Sequence, residues 1–384
     1  MAWRATLAVA LIAVRAVVLS VVLSHVPADP GGHYVASDAL RYTAIAETPG
    51  TPYRDFDVEI PPVEVVALEL IASSDPRETA VRNGWFQFTL DVVTAAALML
   101  GWGSGAALLY LLIGLPLAPF LYFRLDLLSV SLATTAMALA RRGRPRGAGT
   151  LLAAAVLAKV WPIVLITAAF GRSRRQMLLW GGTALILGTI AWALWAGPDG
   201  PMQVATFRGA TGWQLESPPG SILLAGTDLS VVFEEGANRI GRMTTSARVL
   251  SASVLVGALA LIARAAHRRE DDTDGLVALA SVGALLACAP IVSWQYVGWL
   301  LPWAAIVAGE RQWWTAGSAL AVVALSTALV FQGVPLTARS DLAVALLLAR
   351  NAVLVALPIV AYAALRRSPS PVGGLRRTTA GVAR

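Results

Sequence analysis

The stretch RRGRPRGAGTLLAAAVLAKVWPIVLITAAFGRSRR, residues 141–175, places an apolar block between two arginine clusters and interrupts it with Lys159-Val160-Trp161-Pro162. Arginines beside hydrophobic segments mark the cytoplasmic side of a membrane, so both clusters belong on one side and residues 150–170 must enter and leave together. Proline removes a helical hydrogen bond and clashes with the preceding turn, and a lone ammonium inside an apolar run marks a special site. We read this block as two half-helices forming a re-entrant hairpin.

Working outward, 57% hydrophobic and 14% charged residues, with a mean hydropathy of +0.67, leave too little polar surface to coat a soluble globule. Further apolar blocks at residues 5–23, 85–101, 106–123, 127–140, 177–195, 247–263, 276–289, 292–308, 313–331 and 342–365 suit helices crossing ~30 Å of hydrocarbon. A cleaved leader is the competing reading of residues 5–23; no cleavage site follows, and many more spans do. Basic clusters at Arg264 to Arg269 and Arg366 to Arg377 join the two above on the cytoplasmic side. The expected fold is therefore all-α and polytopic, with about ten spans plus the hairpin. It is one transmembrane domain over residues 1–365 with a basic cytoplasmic tail at 366–384. Both long loops, residues 24–84 and 197–246, then face outward.

Lys159 is the only lysine, and the arginine-rich, Ala/Val/Leu-dominated composition suits a GC-rich bacterial genome and the bacterial plasma membrane. The net charge of +7 sits beside hydrophobic segments as orientation signal, which excludes nucleic acid as its partner. The single cysteine, Cys288, cannot form an intrachain disulfide, so packing must hold the outer loops.

The first outer loop carries the densest charge, SDALRYTAIAETPGTPYRDFDVEIPPVE at residues 37–64. Residues 38–47 lack a breaker and predict a short helix, Pro49-Gly50-Thr51-Pro52 a turn, residues 53–60 an irregular segment, and Pro61-Pro62 the start of an interfacial helix over 63–72. Carboxylates beside aromatics suit a site for a polar, hydroxylated substrate close to the membrane; a solvated loop is the alternative. Asp38 could equally be a helix cap, Asp126 a cap or a site residue, Glu59 a ligand for hydroxyls or a partner for Arg54, and Lys159 a site cation or the partner of Asp91 or Asp126. Trp294 and Tyr296 read as interfacial belt aromatics, with Gln295 between them as a sugar or acceptor contact.

In order and spacing, several motifs between about residues 35 and 305 resemble glycosyltransferase family 87 of the GT-C superfamily, which takes sugars from polyprenyl phosphates. They are Asp38 to Tyr42, Tyr53-Arg54-Asp55-Phe56 with Glu59-Ile60-Pro61-Pro62, Asp126-Leu127-Leu128, Lys159-Val160-Trp161-Pro162, Trp213-Gln214-Leu215-Glu216-Ser217-Pro218, Ser293-Trp294-Gln295-Tyr296 and Trp299-Leu300-Leu301-Pro302. Ile60 stands where the family often has Tyr, and Trp294 where it often has Pro. The resemblance implies a GT-C-like fold and inverting transfer of a sugar, mannose in the commonest members, to an extracytoplasmic glycolipid or polysaccharide hydroxyl. It implies Asp38 as general base, with Asp55, Asp57 and Glu59 as alternatives. Tyr42, Tyr53, Arg54, Gln214, Glu216 and Gln295 fall in the matched motifs as substrate contacts. The leaving phosphate needs a cation from Arg41, Lys159, Arg208, Arg239 or Arg242, of which Arg208 leads. Asp55-Phe56-Asp57 looks like a metal-binding pair, but residues one apart on an extended segment face opposite ways, and neither an obligatory metal nor another cofactor is expected. A transporter or flippase of lipid-linked sugars and a structural membrane protein are the other readings. A transporter should carry polar groups along the midplane of its spans.

Overall fold

A computed structural model describes residues 2–27, 38–169, 175–206, 210–234, 236–267 and 275–367. The chain is helical almost throughout. It opens with α1 (Ala2–Ser24), α2 (Asp38–Glu47), α3 (Pro62–Ile71) and α4 (Pro76–Trp102). Asp75 caps α4 by accepting from Arg77 N at 2.9 Å, and Pro76 suits a first helical position, so α4 starts well before the expected residue 85. Gly84 lies against Leu19 and Leu23, while Arg4 reaches Ser104; α1 and α4 are therefore antiparallel.

The next apolar block is not one helix. Gly114 and Pro116 split it into α5 (Ser104–Ile113), a 3-10 turn over Leu115–Leu117 and α6 (Ala118–Leu121), bent by 42°. The carbonyls left over at the end of α5 are taken by Arg15 of α1. Its Nε and Nη2 donate to Leu111 O at 3.1 and 2.7 Å, and Nη2 also to Tyr110 O at 3.1 Å. The remaining nitrogen meets Asp91 of α4 at 2.5 Å, and Asp91 also accepts from Tyr110 at 2.5 Å and Tyr122 at 2.7 Å. This buried network ties α1, α4, α5 and the end of α6 together.

Next come α7 (Asp126–Arg141) and α8 (Pro145–Ala158). Leu127 N donates to Gln87 Oε1 at 3.1 Å and Gly101 packs on Ala138, so α7 runs parallel to α4. Helix α8 stops at Ala158, whose carbonyl would have been the partner of the missing Pro162 N–H. Lys159 turns extended (φ −157°, ψ 135°). A 3-10 turn over Trp161–Leu165 leads into α9 (Ile166–Ala169), and α10 (Arg175–Ala196) follows. Gly149 near the start of α8 sits where a Cβ would stand 2.4 Å from Met177 O and 2.6 Å from Gly181 N, and Leu157 near its end meets Gly188. Helices α8 and α10 are thus parallel and in backbone contact, the close approach that glycine permits. The chain between them returns to the end at which α8 began.

The remainder comprises α11 (Asp199–Thr206), β1 (Trp213–Gln214), α12 (Pro218–Gly226), β2 (Val231–Glu234), β3 (Ala237–Ile240), α13 (Thr245–His267), α14 (Leu276–Cys288), α15 (Leu301–Gly309), α16 (Trp313–Phe331) and α17 (Asp341–Arg367). The strands form a small antiparallel sheet in the order β1-β3-β2, which the sequence reading did not anticipate. Gln203 of α11 donates to Tyr53 O at 2.7 Å and accepts from Val58 N at 3.0 Å. The two long loops therefore meet at one end of the bundle, opposite Arg4, Arg141, Arg142 and Arg175.

Among the described residues six helices are long and apolar enough to cross a membrane, or seven if the bent α5 and α6 count as one. That is fewer than the ten expected. Apolar blocks broken at Gly114, Lys159 and Ala289, or only 13 and 14 residues long as in α14 and α8, fall short of the length a simple span needs. Helix α17 continues through Arg367; the rest of the basic tail lies outside the described residues.

Candidate functional site

Where the loops meet, α2 presents Asp38, Arg41 and Tyr42 at i, i+3 and i+4, which is one helix face. Asp38 pairs with Arg124, from the link between α6 and α7, and accepts weakly from the Tyr42 hydroxyl at 3.4 Å. Asp38 is therefore a salt-bridged side chain at the start of α2. Arg41 pairs with Glu59; the expected partner Arg54 is exposed. Tyr42 is packed on Leu68, Ile71 and Leu125.

A second group lies beneath. Lys159 Nζ is 2.9 Å from Asp126 Oδ1 and 3.6 Å from Glu64 Oε1. Trp299 Nε1 donates to the same Asp126 oxygen at 2.7 Å. Asp126 makes no helix cap, and Asp91, the other partner considered for Lys159, belongs to Arg15. The ammonium also lies 5.7 Å from the ring centre of Tyr296 and 6.0 Å from that of Trp299, within cation–π range. Those rings stack at 4.1 Å, and Trp299 stacks on Trp161 at 5.2 Å. Trp161 is fixed by donation to Ser129 Oγ at 2.8 Å. Tyr296 is thus part of an internal aromatic stack, and Trp294 is buried edge-on against Phe120 at 5.0 Å; neither is an outward belt residue.

The two groups share one electrostatic field. Glu64 feels Lys159, Asp126 and Arg41; Tyr296 feels Lys159, Asp126, Glu64 and Arg124; Glu216 from the second loop feels Arg350 and Arg124. Among the described residues Asp38, Glu59, Glu64, Asp126 and Glu216 face Arg41, Arg124, Lys159 and Arg350, so carboxyls outnumber cations. Burial, aided by Asp126 and opposed by Lys159, lifts the Glu64 carboxyl to about 7. Burial also raises Glu216, against the pull of Arg350.

Because the fold holds a proton on Glu64 more tightly than the unfolded chain does, its contribution is fully present below the ordinary carboxyl value of 4.5 and is lost as pH rises through about 7. Thermal unfolding in detergent should therefore fall in midpoint between about pH 5 and 7 for the wild type more steeply than for Glu64→Gln. Parallel profiles would refute this assignment.

Other expected site residues serve the scaffold. Tyr53, at φ 69°, donates to Ile60 O at 2.5 Å and meets Trp192 and Trp195 edge-on at 5.3 and 6.0 Å. Asp55 accepts from Thr51 N at 2.5 Å beneath Gly50, whose φ of 114° favours glycine. Asp57 is exposed. Gln214 is buried in β1, with Oε1 lacking a hydrogen-bond partner, beside the Glu216 carboxyl. The Glu216 carbonyl is held by Arg350 at 2.8 Å and Asn351 at 3.3 Å. Gln295 accepts from Ser293. Arg239 is used by the sheet, donating to Gly212 O and Glu234 O at 3.1 Å, Arg242 is exposed, and Arg208 lies outside the described residues. An open cleft of about 500 Å³ lined by Thr227, Asp228, Arg339 and Asp341 lies elsewhere, and Arg339 there is engaged by Thr227 O and Leu229 O.

Arg124, Glu64 and Trp299 were not among the expected site residues, and Asp126 had been weighed as a cap or a site residue. The one signal for the first was Arg124-Leu125-Asp126, a charge pair between apolar runs. The arrangement offers a partly exposed carboxylate beside a guanidinium, a buried proton-holding carboxyl, an ammonium and a stacked aromatic floor. No family model, curated protein or solved structure matches the chain.

Proposed function

We propose that this protein is a membrane glycosyltransferase that moves a sugar, mannose on the family resemblance, from a polyprenyl-phosphate donor to an extracytoplasmic acceptor hydroxyl. The observation that carries the reading is Asp38, about one-fifth exposed and beside Arg124, at the end of an apolar bundle where both long loops meet. The basic end of the bundle faces the cytoplasm of a bacterial plasma membrane, and the loops face outward. The chain from α8 to α9 forms the re-entrant hairpin, carrying Lys159 to the outer face, and the shorter apolar helices complete the expected ten spans. Helix α3 lies along the interface with Val66 and Leu70 outward.

In the reaction Asp38 takes the acceptor hydroxyl proton, and the acceptor oxygen attacks the anomeric carbon from the face opposite the phosphate. The carbon–oxygen bond to phosphate breaks, and its electron pair stays on the departing polyprenyl phosphate. The anomeric configuration inverts. A cation close to the base stabilises the departing charge.

A transporter for lipid-linked sugars is less well supported. The charged groups deep in the bundle, Arg15 and Asp91, are sealed by one another, by two tyrosines and by backbone carbonyls, and offer nothing to a passing solute.

Membranes containing the chain, incubated with labelled polyprenyl-phosphate-mannose, are expected to yield labelled glycolipid or polysaccharide above membranes lacking it. The reading fails if no labelled product forms with any of several hexose and pentose donors.

A further inference from the structure

Two of the arginine–carboxylate pairs among the described residues are of opposite character. Arg15 and Asp91 are 1% and 0% exposed, and hydrogen-bonding partners surround them. Such a pair is fixed, because separating it strands a buried charge. Arg124 and Asp38 are 18% and 21% exposed. A pair that a ligand can reach in this way can exchange partners without stranding either charge away from water.

Arg124 is placed for such an exchange. It precedes α7 in an irregular link, with Asp38 of α2 beside it and the field of Glu216 and Tyr296 also reaching it. It therefore stands where the first loop, the second loop and the turn before α15 converge. A guanidinium carries five N–H donors in a planar fork that fits phosphate oxygens at least as well as carboxylate. The other cations are less suited. Lys159 already faces two carboxyls, Asp126 and Glu64, and Arg41 pairs with Glu59 at the rim. A carboxylate beside a guanidinium is a weaker base, because taking up a proton would forfeit the ion pair.

We propose that Arg124 is shared between Asp38 and the phosphate of an isoprenoid phosphate ligand: it holds the carboxylate as a weak base until the phosphate arrives, then turns to the phosphate and releases Asp38. Base activation is thereby coupled to donor binding, and an acceptor entering first meets a weakened base. The identity of the ligand rests on the transferase reading; the competition for Arg124 does not. Because coupling is reciprocal, removing the charge of Asp38 must strengthen phosphate binding.

The test uses the full chain in phosphatidylcholine nanodiscs, titrated with farnesyl phosphate, inorganic phosphate and farnesol. Asp38→Asn should bind farnesyl phosphate about 3- to 10-fold more tightly than wild type, a gain that misfolding cannot produce. Arg124→Gln should bind it at least tenfold more weakly with farnesol binding unchanged, and adding Asp38→Asn to that variant should restore nothing. The proposal is overturned if Asp38→Asn binds no more tightly than wild type, if Arg124→Gln binds equally well, or if inorganic phosphate matches farnesyl phosphate. Label transfer with no Asp38→Asn gain removes the coupling and leaves the transferase; the gain without label transfer removes the transferase and leaves the coupling.

Discussion

Replacing Asp38 with asparagine lowers sugar transfer by about 10²- to 10⁴-fold, the usual contribution of a positioned proton acceptor, while the protein stays folded. Asparagine keeps the shape of the side chain and can still accept from Tyr42 and Arg124, so the local packing of α2 on Leu68, Ile71 and Leu125 persists. What it cannot do is take the acceptor proton. Asp55→Asn is the matched control, because Asp55 serves the turn at Thr51 and its amide counterpart can still accept from that backbone N–H. Initial rates with labelled polyprenyl-phosphate-mannose in membranes decide between them. Full activity in Asp38→Asn with none in Asp55→Asn would move the base to the other side of the turn and sink the assignment.

Asp91→Ala should destabilise the fold by about 3–5 kcal/mol, the cost of removing one partner of a buried pair. Three donors lose their acceptor together: Arg15 Nη1, the Tyr110 hydroxyl and the Tyr122 hydroxyl. None can turn to water, since Arg15 is almost wholly enclosed and Tyr110 and Tyr122 fully so. The double replacement Arg15→Met with Asp91→Leu should recover much of the loss, because matched apolar groups no longer strand a charge. The fraction of monodisperse protein surviving a temperature ramp in detergent reports both. A melting midpoint for Asp91→Ala within a degree or two of wild type would show that the network contributes little.

Local punctuation made the first outer loop legible. Pro49 to Pro52 and Pro61-Pro62 separate α2 from α3, and both helices lie within a residue of their expected bounds. The break at Lys159 to Pro162 was legible for the same reason, since proline acts through its own backbone. Partnerships across the chain were legible only in part. Asp126 was one of two partners considered for Lys159 and is the one it meets, but Asp38 with Arg124 and Glu64 with Lys159 are brought together by helix packing, and nothing in the spacing of charged residues states it. Tyr53 also has a packing role that its neighbours in sequence do not announce: its ring fills the gap between the first loop and the end of α10. The long helices number fewer than the expected spans because hydropathy does not register that an apolar run is bent at Gly114 or opens in a 3-10 turn before Leu301.

The distance in sequence between Arg15 and Asp91, 76 residues, also sets a schedule for biogenesis. At about 5–20 residues per second, α1 is synthesised roughly 4 to 15 s before its partner exists. Through that interval its guanidinium is uncompensated, at about 2.5–3.5 kcal/mol near a helix centre, and the apolar remainder of α1 must offset it. Synthesis of Asp91, Tyr110 and Tyr122 ends the delay, all before Asp126 is made. The N-terminal third of the chain is thus assembled before Asp126, Tyr296 and Trp299, which will meet Lys159, are made, and α7 and α8 assemble against a finished wall.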